Sequence, residues 1–358
     1  MSTIGAADRE GQKSFAHHSS SIVERSFGSR DRVNRNFAIC GLASLRPYAT
    51  GGCLAILCAV AQMRLVEMLC NIDLGVRVAE GVLAWRPEWP VYQSRLLAPF
   101  LLRLLGHDRT AYLGLIFVGL VVGGWLSWNL AGLAGLGIYH AAFAVILGWM
   151  FYPWDILDPA IFMVFVTFVA AGRSPWWFVG LYVVAILNRY TGQFIAGWMI
   201  ADPLCRWLMG RRLDRKMLAS GVTCLIAGTV MVWEIQGRTG WGFVKIDKAA
   251  YLGNYFQFRL GPNLRDLDFR AGAFRQVGFH VTPFFLAAIY ALILTAAGYV
   301  AYRDREKYLA LGLIYFTILA AIPPFSIVGE TRVYLDFISL LVLAAAVARQ
   351  RVVVRVAG

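Results

Sequence analysis

Three short polar clusters interrupt long apolar stretches of the sequence, and each contains residue types that could take part in chemistry. The first holds Asp155 and Asp158, the second is centred on Arg189, and the third contains Glu330 and Arg332. Carboxylates are suited to acid–base work, and the planar guanidinium of arginine binds phosphate through two parallel hydrogen bonds. We therefore expect a site at which acids and arginines act together on an anionic ligand.

These acids have ordinary structural alternatives. Asp158 precedes a proline, a pair that is typical of a helix start with Asp as the N-cap and Pro at the first helical position. Asp155 has no such role, and a carboxylate at a membrane boundary is costly unless it is paired or hydrated. Arg332 could form a local structural pair with Asp336, one turn away, which would leave Glu330 without a local partner.

Two further candidate residues, Asp73 and Arg95, come earlier in the chain. Asp73 is the first acid after the first apolar stretch, and Arg95 precedes an apolar piece, residues 96–105, that is too short to cross a bilayer. We expect this piece to form an interfacial helix that lies along the membrane. Asp73 could also be an ordinary solvated acid, and Arg189 could simply extend to lipid head groups.

The composition determines which elements must position these residues. The sequence is 59% hydrophobic and only 15% charged, whereas soluble domains carry about 25% charged residues. Runs of about 20 apolar residues recur, and each is long enough for one helix to cross a bilayer. The sequence therefore predicts an all-α fold, a polytopic transmembrane helical bundle with interfacial helices in its outer loops.

The apolar runs predict about ten spans. They cover residues 49–70, 111–128, 130–150, 159–171, 176–189, 191–201, 219–235, 281–302, 308–328 and 333–348. Residues 1–47 read as a disordered basic tail, 48–350 as the membrane domain, and 351–358 as a second tail. Ten spans place both termini on the same side of the membrane. The short basic loops lie on that side too, which indicates that it is the cytoplasmic side. All three polar clusters then lie at the outer face of a bacterial-type inner membrane.

The formal net charge of +13 collects in tails and loops, where it sets orientation and meets anionic lipid. Membrane lipids are therefore expected partners, and nucleic acid is not.

The six cysteines form no C-x-x-C pair and match no zinc spacing. We assign no residue to a metal, and a divalent cation stays open as a cofactor. Residues 236–280 interleave aromatic and basic residues, which is typical of interfacial helices or a lid.

Four of these segments together resemble the GT-C superfamily of integral membrane glycosyltransferases, in particular its smaller bacterial members. They are Tyr92–Leu97, Tyr152–Asp155, Asn188–Thr191 and Glu330–Arg332. The resemblance implies a polyprenyl-phosphate-linked sugar donor and transfer at the outer face. It also implies that Asp73 acts as general base toward the acceptor, and that Arg95 and Arg189 hold the donor phosphate. Asp155 could instead be the working acid.

Three functions remain open from the sequence. The first is a membrane glycosyltransferase whose catalytic residue is Asp73 or Asp155, with Arg95, Asp158, Arg189, Glu330 and Arg332 binding substrate. The second is a transporter or flippase for an anionic or lipid-linked substrate. The third is a non-catalytic partner in envelope assembly. Convergence of the acids and arginines in one cavity would favour the first two over the third.

Overall fold

A computed structural model describes residues 45–87, 92–147, 152–237, 267–268, 273–274, 283–325 and 331–357. In these ranges the chain is almost entirely helical. The α-helices are α1 Leu45–Leu69, α2 Ile72–Leu83, α3 Leu97–Leu104, α4 Arg109–Ile146, α5 Pro153–Ala171, α6 Pro175–Asn188, α7 Gln193–Leu208, α8 Arg215–Gly237, α9 Pro283–Arg303, α10 Arg305–Phe325 and α11 Phe337–Ala357. Two-residue strands β1, Leu267–Asp268, and β2, Ala273–Phe274, pair antiparallel. The described chain from Gly51 onward belongs to one compact unit.

Six of these helices (α1, α4, α5, α8, α9 and α10) are long and apolar enough to cross a membrane. Their outer surfaces carry large apolar side chains: Leu57 and Met68 of α1 are 65% and 80% exposed, and Ile226 of α8 is 60% exposed. Such surfaces are unfavourable in water and suit hydrocarbon, while the helices satisfy their own backbone groups. The fold is therefore that of an integral membrane protein, as the composition predicted.

Helix α4 is a hairpin rather than one rod. Gly132 has φ 66° and ψ −146°, outside the helical region, a conformation that glycine adopts without steric cost. In a straight helix Gly119 and Tyr139 would lie about 30 Å apart. Instead the Tyr139 hydroxyl donates to the Gly119 carbonyl at 3.4 Å. The two halves of α4 thus run side by side and correspond to the second and third predicted spans.

The chain reverses again between α6 and α7. Asn188 ends α6, a 3-10 turn covers Tyr190–Gly192, and α7 follows directly. The ring of Trp198 in α7 packs on that of Phe178 in α6, with centroids 4.6 Å apart. Residues twenty positions apart meet only if the helices run antiparallel. Arg189 therefore lies in a tight turn at one end of the bundle.

The apolar segmentation of the sequence matches the helices, but several boundaries are corrected. Helix α5 begins at Pro153, six residues before the predicted span, and α7 continues to Leu208 rather than ending near residue 201. Helix α11 continues to Ala357, so the predicted tail of residues 351–358 is largely helical. Two of the helices, α6 and the apolar part of α11 at Phe337–Gln350, are shorter than a usual span. The structure thus establishes six candidate spans, and the expected count of about ten stays a prediction.

Two short helices lie in the first predicted outer loop. A helix, α3, is present at residues 96–105, where an interfacial helix was expected. Helix α2 was not expected. It buries an apolar face that includes Val78 and Val82, and the Asn71 side chain caps it by accepting a hydrogen bond from the Leu74 amide. The expected basic tail before residue 45 and most of the expected lid at 236–280 lie outside the described residues.

Basic residues collect at the end of the bundle opposite the turn that holds Arg189. The loops after α5, α7 and α9 meet there. Arg211 pairs with Glu306 at 2.5 Å, and the Lys307 ammonium donates to the Ala170 carbonyl at 2.6 Å. The bundle therefore has one strongly basic end and one end at which acids and arginines are mixed.

Candidate functional site

The first part of the site is the beginning of α5. Tyr152 is the N-cap and Pro153 occupies the first helical position. The Asp155 side chain turns back and accepts a hydrogen bond from the Tyr152 amide at 3.0 Å. The expectation that Asp158 caps this helix is therefore wrong. The earlier proline starts the helix, so Tyr152 is the N-cap and Asp155, at the third helical position, completes a capping box. Asp158 lies in the second turn and is available for other partners.

The turn after α6 supplies those partners. Asn188 donates its amide to the Trp154 carbonyl at 2.9 Å and to Asp158 Oδ1 at 2.8 Å. Arg189 Nη1 lies 2.9 Å from Asp158 Oδ2 and 3.7 Å from Asp155 Oδ1. Burial alone would lower the pKa of Arg189, but the carboxylates of Asp158 and Asp155 raise it. Asp158 and Arg189 thus form a buried, hydrogen-bonded ion pair that joins two helices.

Arg332 brings the third sequence cluster into the same place. It belongs to the 3-10 helix Thr331–Tyr334 that precedes α11. Its Nη1 lies 3.4 Å from Asp155 Oδ2, its Nη2 donates to the Tyr92 hydroxyl at 3.5 Å, and its guanidinium stands 4.4 Å from the centre of the Tyr152 ring. Asp155 is therefore shared between two arginines that come from distant parts of the chain.

Arg95 is the third arginine of the site and differs from the other two. Its guanidinium packs on the neighbouring rings of Tyr92 and Trp154, at 4.6 and 4.9 Å from their centres. It is 6% exposed, its Nε has no hydrogen-bond partner, and no described carboxylate lies within 4.0 Å. Burial lowers the pKa of Arg95, and so do Arg189 and Arg332. A guanidinium remains charged even so, so this buried cation lacks a counter-ion in the described part of the chain.

Asp336 is a third buried acid that the sequence assigned only to a local pair. It is 2% exposed, and its Oδ1 has no hydrogen-bond partner among the described residues. The expected pair with Arg332 is wrong, because no described base lies within 4.0 Å of Asp336 and Arg332 extends to Asp155 instead. Burial raises the pKa of Asp336, and so do Asp158 and Asp155. An acid near the start of the last predicted span, residues 333–348, was the signal that could have identified it.

We refer to these six side chains as the charged cluster, which comprises Arg95, Asp155, Asp158, Arg189, Arg332 and Asp336. The two other candidates stand differently. The Asp73 side chain is 74% exposed at the start of α2, and its nearest described base is Arg109 at 4.0 Å. Glu330 lies outside the described residues. The structure thus brings together five of the seven residues named from the sequence, and adds Asp336.

An apolar groove begins beside the charged cluster. It has a volume of about 290 Å³. Helix α3, which follows Arg95, forms one wall, and α4, α5 and α6 form the others. Among its lining residues are Leu97, Leu101, Leu157, Ala160, Leu181 and Val184. Leu97 is two residues from Arg95, and Leu157 lies between the two acids of α5. The groove therefore brings hydrocarbon surface to the level of the charges.

Within the described residues, no three His, Cys, Asp or Glu side chains are grouped so that they could hold a metal ion. The arginines of the charged cluster can bind an anion through their charge and through pairs of parallel hydrogen bonds. Comparison with protein-family models, with curated proteins and with solved structures finds no match. The chemistry of the site therefore has to be argued from its own geometry.

Proposed function

We propose that the chain is a membrane glycosyltransferase that transfers a sugar from a polyprenyl-phosphate-linked donor at the outer face of a bacterial-type inner membrane. The observation that carries this proposal is Arg95, a buried guanidinium without a described counter-ion, next to an apolar groove. A lipid phosphate has the two properties that this arrangement matches, an anionic head and a hydrocarbon chain. The head would neutralise Arg95 while the chain occupies the groove.

The three arginines have different roles toward the donor. Arg95 binds the phosphate, and Arg189 and Arg332 stabilise the charge that develops on it when the sugar leaves. Asp155 and Asp158 orient these two arginines, since each acid is already engaged by short contacts to a guanidinium. Orientation of this kind fixes the reacting groups without further rearrangement.

The acceptor is activated by Asp73 in this proposal. Asp73 is open to solvent, whereas Asp155 is fully buried and caps α5. Cys70, three residues before Asp73, lies within the electrostatic reach of Asp155, so α2 starts at the same end of the bundle as the charged cluster. A carboxylate at this position would remove the proton of the acceptor hydroxyl as it attacks the sugar. Asp155 is the alternative base.

The charge distribution supports the orientation. The end of the bundle opposite the charged cluster carries Arg173, Arg206, Arg211, Arg212, Arg215, Lys216, Arg303, Arg305 and Lys307. Basic loops of this kind face the cytoplasm, which puts the charged cluster outside. Ten spans, with both termini inside, follow if α6, α7 and α11 also cross, tilted or with the bilayer locally thinned.

Sugar transfer by single variants tests the proposal. The full-length protein in membranes is given radiolabelled lipid-linked sugars, and label in a water-soluble acceptor is counted. Asp73→Asn is expected to reduce transfer by about 10²–10⁴-fold, the usual contribution of a general base, while Glu80→Gln on the same helix leaves transfer unchanged. Full transfer by both Asp73→Asn and Asp155→Asn would contradict the proposal. Movement of unaltered donor across sealed vesicles would indicate the transporter instead.

A further inference from the structure

Asp336 is the one acid of the charged cluster for which the proposed function has no use. Its carboxyl is enclosed where α11 begins, and its backbone carbonyl accepts a hydrogen bond from Ser339. The charged or titratable groups that act on it come from three elements. They are Asp155 and Asp158 on α5, Arg189 in the turn after α6, and Tyr315 on α10.

Among the described residues, the contacts leave one acid and one base of the cluster without an ion-pair partner. Asp158 is paired with Arg189, and Asp155 is shared by Arg189 and Arg332. Arg95 and Asp336 remain, and they do not form a pair with each other or with any other described residue. An isolated buried carboxylate is so unfavourable that the group takes up a proton instead. A guanidinium cannot lose its proton in the same way.

We propose that Asp336 is held as a neutral carboxylic acid, which leaves the charged cluster with one net positive charge, and that it thereby selects a singly charged phosphodiester. This inference takes from the proposed function only the identity of the anion as a lipid phosphate. A polyprenyl-phosphate-linked sugar is a phosphodiester and carries one negative charge, whereas a phosphate monoester carries between one and two near neutral pH. One unneutralised arginine matches the first of these.

The direction of the pH dependence follows from the environment of Asp336. Burial raises its pKa, and so do the neighbouring carboxylates of Asp158 and Asp155. Below that raised pKa the acid is neutral and the cluster is cationic. As the pH rises through it, Asp336 ionises, the charges of the cluster cancel, and the affinity for an anion falls. A charge added a few ångströms from a buried ligand changes affinity by about tenfold or more.

Binding of dihexyl phosphate to the full-length purified protein in detergent tests this directly. This diester keeps its single charge across the range from about pH 5 to about pH 9, well above the first ionisation of a phosphate. Calorimetry on the wild type is expected to show Kd rising about tenfold or more across that range. Asp336→Asn should bind with the low-pH Kd throughout, and Asp304→Asn, an acid at the opposite end of the bundle, should behave as wild type.

Two further measurements keep the test decisive. Arg95→Met should abolish binding at every pH, and the neutral triester of the same alcohol should not bind the wild type. If Asp336→Asn cannot be purified, infrared spectra of the wild type should show a protonated carboxyl band that disappears on raising the pH. A pH dependence of binding that survives in Asp336→Asn, or a wild type without a protonated carboxyl, overturns the inference.

Failure here is distinguishable from failure of the proposed function. Binding with the expected pH dependence but without sugar transfer would support the role of Asp336 and contradict the proposed glycosyltransferase activity. Sugar transfer together with a pH dependence of binding that does not change in Asp336→Asn would support the glycosyltransferase activity and contradict the role of Asp336.

Discussion

At the scale of single residues, the site depends on how charges are neutralised away from water. Arg189 can be buried because Asp158 and Asp155 both approach it, and because Asn188 fixes the first of these acids. Desolvation of an ion pair cancels much of its attraction, so such pairs add little net stability. They do make the loss of one partner costly, because the other then remains buried and uncompensated.

This asymmetry predicts the behaviour of the Asp158–Arg189 pair. Asp158→Ala leaves Arg189 with only the longer contact to Asp155, and we expect a loss of about 3–5 kcal/mol in the free energy of unfolding. The double variant Asp158→Leu, Arg189→Met removes both charges and should recover most of that loss. Unfolding in mixed detergent micelles measures both. A double variant no more stable than the single one would show that the pair itself, and not its neutralisation, stabilises the fold.

Individual residues also show how far the sequence could predict the site. Asp155, Arg189 and Arg332 were identifiable because charges beside apolar stretches need partners, and the structure brings them into contact. Asp158 was misread because two prolines competed to start α5, and propensity rules alone do not decide between them. Asp336 was missed because Arg332, one turn away, offered a local partner, whereas packing directs that arginine to another helix.

At the scale of elements, the bundle depends on close approach within the α4 hairpin. Glycines line the inside of this hairpin. A Cβ on Gly123 would overlap the Tyr139 hydroxyl, and one on Gly135 would overlap the Ser127 carbonyl. Small residues let helix backbones approach each other in this way inside membranes. Helix α11 packs along α4, and Asp336 directly precedes this helix.

Gly135 provides a direct test of this packing. Gly135→Leu places a side chain against the backbone of Ser127, which cannot move aside without opening the hairpin. We expect a loss of about 1–3 kcal/mol or more from overpacking. Gly137, two residues along the same helix half, faces open space, so Gly137→Leu is the matched control and should leave stability unchanged. Thermal unfolding in detergent gives the comparison, and equal melting temperatures for the two variants would contradict the close packing.

The elements themselves were predictable to different degrees. Spans follow from apolar length, so the ten predicted segments each coincide with a described helix or a half of α4. The position of the bend in α4 could not be predicted from composition, because Gly132 is one of several glycines in a glycine-rich run. Helix α2 was hidden because it lies in a polar loop and buries only one face. Its amphipathic spacing was the signal available.

At the scale of the whole molecule, charge is distributed unevenly between the two ends of the bundle. At the end that holds the charged cluster, acids and bases are mixed, and four of its six residues form ion pairs with one another: Asp155, Asp158, Arg189 and Arg332. At the opposite end the loops after α5, α7 and α9 are predominantly basic, and only a few acids such as Glu306 offset them. Membrane insertion retains such basic loops in the cytoplasm. The same asymmetry gives the proposed enzyme its direction, since a lipid-linked donor would be used on the far side.

The orientation can be measured in intact cells. A variant lacking the native cysteines receives one new cysteine, either Glu80→Cys on α2 at the cluster end or Arg212→Cys in the basic loop before α8. Both positions are exposed. A maleimide that cannot cross membranes is expected to label Glu80→Cys in intact cells, and Arg212→Cys only after the membrane is permeabilised, because membrane insertion favours basic loops on the cytoplasmic side. The reverse pattern would place the charged cluster inside, where an outer-face transferase could not work. Labelling of both positions before permeabilisation would contradict a bundle that separates these two ends across the bilayer.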